Sequence, residues 1–174
     1  MSYNTFASFY DELTDNISYP ARAAYFDSII RWQQVRHGVT GLERQHIGYE
    51  NGVLGGVVSA LNVLCSRGDN VLVHSPTYSG FTSCLTNAGY SIVLSPLVQD
   101  EQGIWRMDFE DMEKKIVANH IHTALFCSPH NPTGRVWERW ELEKAMEVYE
   151  ANQCLVISDL PAAWCLCYLG RDLV

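Results

Sequence analysis

CSPHNPTGRVW, Cys127 through Trp137, follows five strand-like residues, His122–Phe126, and runs into a charged helical pattern, WERWELEKAMEVYE. Pro129, Asn131, Pro132 and Gly134 each restrict or redirect the backbone, and they are concentrated at the end of an apolar strand. A loop so constrained, in that place, is suited to holding a ligand against the edge of a sheet.

The chain around it has 174 residues, enough for one domain with its own core. At 47% hydrophobic and 18% charged it has the composition of a globular protein. The formal net charge is -8 and no block of lysine or arginine occurs, which argues against a nucleic-acid partner. No apolar run approaches the roughly 20 residues of a membrane span, and no charged-then-apolar signal opens the chain. A cytoplasmic location with no membrane partner is the expectation. The six cysteines form no CxxC pair and mostly lie inside apolar patterns, so buried reduced thiols are expected and no metal site. The histidines lack metal-ligand spacing and read as surface or hydrogen-bonded side chains. Charges over Glu138–Glu150 read as a solvated helix face with pairs such as Glu141 with Lys144 and Arg139 with Glu143.

Helical and strand periods alternate along the chain, which points to an α/β fold. Phe6–Thr14 is an amphipathic stretch, Ser18–Pro20 a turn, Ala21–Arg36 a helix ended by Gly38, and Gln45–Tyr49 a short strand. NGVLGG, Asn51–Gly56, leads into an apolar helix, Val57–Cys65. Strands are expected at Val71–His74, Tyr90–Leu94, His122–Phe126 and Cys154–Ser158. Helices open after Ser75–Tyr78, at Asp108 as an N-cap with Asp111 in the first turn, and at Glu138. Apolar strands joined by helices imply right-handed crossovers and a three-layer, mainly parallel sheet with helices on both faces. In such sheets ligands sit at the carboxyl ends of the strands. SPTY, SPHNPTG and Asp159 all fall there, and NGVLGG offers amides at a helix start. No P-loop lysine motif and no GxGxxG is present, against a Rossmann-type nucleotide binder.

These segments, IIRWQQVRHG, VLVHSPTYSGF, SPHNPTGRVW and VISD in that order, resemble the fold-type-I pyridoxal-phosphate enzymes of the aminotransferase class I/II superfamily. Within it they are most similar to the cystathionine β-lyase (cysteine-S-conjugate β-lyase) branch. The resemblance covers roughly Ile17 to Asp159 and implies a partial large domain of the PLP-dependent transferase fold. It implies pyridoxal 5'-phosphate (PLP) as cofactor, with Asn131 on its phenolic oxygen and Asp159 on its pyridine nitrogen. It also implies Tyr78 on the ring face and the amides of Gly52, Val53 and Leu54 on its phosphate. Tyr19 lies where the family places a tyrosine reaching the phosphate of a neighbouring subunit, although SYPARAAYF departs from the expected glycine-tyrosine context. The family's partners are an amino-acid substrate, L-cystathionine or a cysteine conjugate, and a second copy in a homodimer. An aminotransferase is the close alternative, because the same elements serve both reactions.

The family also uses a Schiff-base lysine several tens of residues after the pyridine-binding aspartate. Every lysine of this chain precedes Asp159, so no catalytic residue is assigned. Leu160 and Pro161 stand where the family has an acidic residue and isoleucine. The expected organisation is therefore 1–159 as the N-terminal part of the PLP-binding large domain, and 160–174 as a non-family tail of the kind a frameshift leaves. The small C-terminal domain, with its substrate-binding arginine, is absent from this reading. A non-catalytic fragment is the third alternative.

Overall fold

The computed structural model describes residues 19–38, 40–48, 50, 52–160 and 165–169; the expected Phe6–Thr14 stretch lies outside them. The chain divides at Tyr49/Glu50 into two compact units. In the first, helix α1 spans Tyr19–His37, so Tyr19 and Pro20 begin a helix rather than close a turn. Proline is at home there, because its missing N–H has no partner in a first helical turn. Gly38, at φ +67°, ends the helix as expected. Arg44–His46 is a single 3-10 turn where a strand was expected. Its geometry follows from local bonds: the Glu43 N–H donates to His46 Nδ1, and Arg44 is forked onto Asp27 of α1 at 2.6 and 2.5 Å.

The second unit contains α2 (Val53–Leu64), β1 (Asn70–Ser75), α3 (Ser79–Ala88), β2 (Ser91–Pro96), β3 (Val98–Gln99), β4 (Trp105–Arg106), α4 (Phe109–Ala118), β5 (Thr123–Cys127), α5 (Arg139–Ala151), β6 (Leu155–Leu160) and β7 (Cys165–Leu169). Five strands form one sheet in the order β2-β1-β5-β6-β7. The first four are parallel, and β7 closes the row antiparallel to β6. β3 and β4 form a separate antiparallel ribbon that the sequence patterns missed, each strand being only two residues long.

Residues alternate between two cores, as the pleat requires. Leu72, Ala124 and Val156 face one cluster with Met112, Ile116, Ala145 and Tyr149, from α4 and α5. Val71, Val73, Leu125 and Ile157 face the other, with Val57, Leu61, Phe81 and Leu85 from α2 and α3. Helices therefore cover both faces of a mainly parallel sheet, the three-layer α/β arrangement expected from the sequence. Asp108 caps α4 by accepting from the Asp111 N–H at 3.0 Å, also as expected.

Arg139 and Glu143 pair across one turn of α5 at 2.7 Å, but the expected Glu141–Lys144 pair does not form. Glu141 is 1% exposed and accepts from Arg135 Nη2 at 2.6 Å, with Arg106 Nη1 at 3.2 Å. Lys144 instead lies over the Phe109 ring. A buried carboxylate needs fixed cations, and here two arginines from different segments supply them.

His74 is also buried rather than at the surface. Its Nε2 meets the Tyr149 hydroxyl at 3.3 Å and its Nδ1 has no partner among the described residues. Burial, reinforced by His130, pulls its pKa down to about 4. The unfolded chain takes up this proton near pH 6.5 and the folded chain only near 4, so stability is lost as pH falls between them. Thermal unfolding of the protein is expected to lose on the order of 3 kcal/mol across that window, and His74→Gln to flatten the loss. An unchanged slope in the variant would show that His74 does not titrate on unfolding.

Candidate functional site

Three connections at the carboxyl edge of the sheet carry the candidate residues. The first leaves β1 through Pro76 and Thr77, and Tyr78 becomes the N-cap of α3 with extended backbone, φ -63° and ψ 125°. Proline after Ser75 ends the strand because it cannot donate to the ladder. The Tyr78 ring is 40% exposed and meets Phe81 edge-on at 5.4 Å. It lies directly over Gly80, where a Cβ would stand 2.3 Å from Tyr78 Cε1. The ring position therefore depends on a glycine two residues later.

The second connection is the loop after β5. Ser128 donates its N–H to the Asp159 carbonyl at 3.0 Å, carrying the β5–β6 pairing one residue past the strand end. His130 and Arg135 then form an antiparallel bridge, and the Gly134 N–H returns to the His130 carbonyl at 2.7 Å. Gly134 adopts φ +71°, a left-handed turn that favours glycine. Asn131, at the tip, is exposed. His130 is 3% exposed; its Nδ1 meets Thr133 Oγ1 at 2.9 Å, and its ring packs on Trp137, whose Nε1 donates to the Cys127 carbonyl at 3.0 Å. Arg135, held by Glu141, fixes the far end of the loop to α5.

The third element is β6. Asp159 lies inside the strand rather than just after it, paired in register with Cys127. Both side chains are on the face that carries Leu125 and Ile157, since each is two residues further along its strand. Asp159 is 7% exposed, and Cys127 Sγ at 3.6 Å from Oδ2 is its one side-chain hydrogen-bond donor among the described residues. Burial raises its pKa above the ordinary 3.8, and the Cys127 thiol partly offsets this. Burial likewise pushes the Cys127 thiol up to about 11, so it is protonated and able to donate.

Gly52 is the exposed N-cap of α2, at φ +81° and ψ 167°, and Val53 and Leu54 begin the helix. The helix thus starts four residues earlier than the sequence pattern suggested. First-turn amides have no intrahelical acceptor, so those of Val53 and Leu54 are available to an anion, whereas the Gly52 N–H, expected to join them, donates to the Glu50 carbonyl at 2.9 Å. Leu54 packs against the cluster that contains Phe81, Cys127 and Ile157. Tyr19 opens α1 in the other unit, and its side chain lies outside the described residues.

The structure thus brings Asn131, Cys127 and Asp159 into one connected group, with Tyr78 joined to it through Phe81. Phe81, Cys127, His74, Thr77 and His130 line a shallow pocket between β1 and β5. Lys114 and Lys115 extend from α4 to Glu110 and Asp111, and with Lys144 on Phe109 none lies in this group. Sequence patterns missed Cys127 and Gly80. The signal for Gly80 was the S-G-F following PTY, whereas Cys127 gave none beyond its place at a strand end.

A pattern for aminotransferase class I and II matches residues 15–160. The chain belongs to this family. It is similar to cystathionine beta-lyase PatB of Bacillus subtilis (strain 168), 32% identical over 133 residues, which cover 76% of this chain and 34% of PatB. Protein MalY of Escherichia coli (strain K12) is 27% identical over 135 residues, 78% of this chain and 34% of MalY. Among solved structures, the PLP-bound C-S lyase from Staphylococcus hominis superposes with a TM-score of 0.71 and 31% identity, over 78% of this chain and 34% of that one. The chain spans about a third of the length of the curated relatives it matches.

A buried carboxylate with a thiol as its neighbour and no cation among the described residues is a cost to the ligand-free fold. Because the folded state holds the Asp159 proton more tightly than the unfolded chain, its contribution to stability declines as pH rises above 3.8. Asp159→Asn is expected to raise the melting temperature of the ligand-free protein by ~2 °C at pH 7 and to have less effect near pH 4. Calorimetry at the two pH values checks this; a lower melting temperature at pH 7 would mean that the carboxylate has a stabilising partner.

Proposed function

We propose that Asp159, Asn131, Tyr78 and the Gly52–Leu54 turn form the binding site for pyridoxal 5'-phosphate in a carbon–sulfur β-lyase. The observation that carries the reading is the Asp159 carboxylate, buried and without a cation among the described residues. The cofactor's ring nitrogen, once protonated, is the kind of cation it lacks. The residues present fit the group in three further respects. The α2 amides at Val53 and Leu54 suit a phosphate, Asn131 is exposed at a braced loop tip, and Gly80 leaves the Tyr78 ring free to cover an aromatic face.

When bound, the cofactor supplies an electron sink for charge developing at the α-carbon of an amino acid. The chain's own residues would bind and orient it. Asp159 would accept a charge-assisted hydrogen bond from the ring N–H and keep that proton in place. The Asn131 amide would donate to the phenolic oxygen, Tyr78 would shield one face of the ring from water, and the Val53 and Leu54 N–H groups would donate to the phosphate. Substrates of the L-cystathionine or cysteine-conjugate class, leaving a thiol from the β-carbon, follow from the similarity to PatB and the S. hominis lyase. A homodimer in which Tyr19 approaches a neighbour's phosphate belongs to the same proposal. Transamination is the second reading, favoured by the family match itself, since nothing in these residues selects elimination over amino transfer.

We further propose that residues 1–159 are the N-terminal part of the cofactor-binding domain. By itself this chain would hold PLP without covalent attachment and without turnover, because its three lysines lie on α4 and α5 and none is among the candidate site residues. Titrating the purified 174-residue protein with PLP, read by absorbance and intrinsic fluorescence, tests this. Saturable binding that dialysis reverses is expected, weakened at least about tenfold by Asp159→Ala and by Asn131→Ala. Absence of saturable binding would overturn the site. A borohydride-fixed adduct at Lys114, Lys115 or Lys144, with pyruvate released from cystathionine, would overturn the non-covalent part.

A further inference from the structure

Cys127 lies where the two most informative elements of the site meet. Its Sγ is 3.6 Å from Asp159 Oδ2 and 3.3 Å from the Pro129 carbonyl oxygen, so its single proton has two acceptors, one of them a carboxylate. The backbone N–H of Asn131 faces the same sulfur and favours its charged form. The Cys127 carbonyl, in turn, accepts from Trp137 Nε1. Both Cys127 and Asp159 are buried, at 6% and 7% exposed, and their strands hold them in register. No other side-chain donor reaches the Asp159 carboxylate among the described residues.

We infer that Cys127 is a positioning residue: its thiol couples the Asn131 loop to Asp159, donating to one carboxylate oxygen so that the other is presented to the cofactor's ring nitrogen. The chemistry is asymmetric in a useful way. A thiol is a weak donor, strong enough to orient the carboxylate and favour its ionisation, yet it brings no positive charge that would compete with a pyridinium. Lysine or arginine at this place would satisfy Asp159 by itself and compete with a cationic ring. Serine would preserve the donor; alanine would not.

This inference rests on the proposed cofactor site, but its first test does not. In ligand-free protein labelled with carbon-13 at aspartate Cγ, the Asp159 signal is assigned by its loss in Asp159→Asn and titrated with pH. Cys127→Ala is expected to move the Asp159 midpoint up, and Cys127→Ser to return it to the wild-type value or below. Reciprocally, Asp159→Asn should lower the pH at which Cys127 is alkylated, followed by peptide mapping, because the neighbouring negative charge is gone. An Asp159 midpoint unchanged in Cys127→Ala, or a Cys127 alkylation profile unchanged in Asp159→Asn, overturns the coupling. If Cys127→Ala fails to fold, the alkylation profile alone decides it.

PLP titration of the same proteins then separates the two ideas. Weakening by several-fold in Cys127→Ala, with recovery in Cys127→Ser, supports the positioning role. Equal affinity in Cys127→Ala and wild type overturns that role. Absence of PLP binding in every protein, with the carbon-13 shifts as expected, overturns the cofactor site and leaves the Cys127–Asp159 coupling standing.

Discussion

The parallel register of β5 and β6 is the constraint on which the site depends. Because Cys127 stands opposite Asp159 in the parallel register, with the next N–H, that of Ser128, donating to the Asp159 carbonyl, both side chains emerge on one face of the sheet at its carboxyl end. That placement buries a carboxylate beside a thiol and away from any arginine or lysine among the described residues. The two arginines that balance a buried carboxylate in this fold, Arg106 and Arg135, are committed to Glu141. Burial leaves Asp159 raised in pKa, with no cationic partner among the described residues. It is on this buried group that the proposed cofactor site rests.

The elements around Asp159 are braced from outside the pocket. Ser128 extends the β5–β6 pairing into the loop, Trp137 holds the Cys127 carbonyl, and Arg135 fastens the loop to the buried end of α5. Asn131 therefore projects from a loop secured at both ends, which suits a polar group that must meet a ligand with little reorganisation. Tyr78 depends on a different device, the missing Cβ of Gly80. The same parallel arrangement that sets the register also sends helix N-termini toward this edge of the sheet, which is how α2 comes to offer its free amides there.

Much of this was legible because it is local. Alternating apolar runs marked the parallel strands, Asp108 marked a helix start, and the clustered prolines of CSPHNPTGRVW marked the loop. The misses are places where distant residues override the local pattern. Glu141 looked like one more charge on a solvated helix, but Arg106 and Arg135, far away in sequence, draw it inside. Gln45–Tyr49 had strand-forming residues but no neighbouring strand among the described residues, and a 3-10 turn closed by Glu43 and His46 forms instead. Asp159 was placed just beyond a strand because β6 gains its last residues from pairing with Cys127 and with β7, neither of which a single segment reveals. Cys127 itself looked inert, since its significance lies in a neighbour 32 positions away.

In the proposed site Asp159 would keep the cofactor's ring nitrogen protonated. Nitrogen-15 NMR of ring-labelled PLP bound to the protein at neutral pH and above reads that proton directly. A pyridinium-type shift in wild type, replaced by a neutral-pyridine shift in Asp159→Asn, is the predicted result. The same neutral-pyridine shift in both proteins would contradict it.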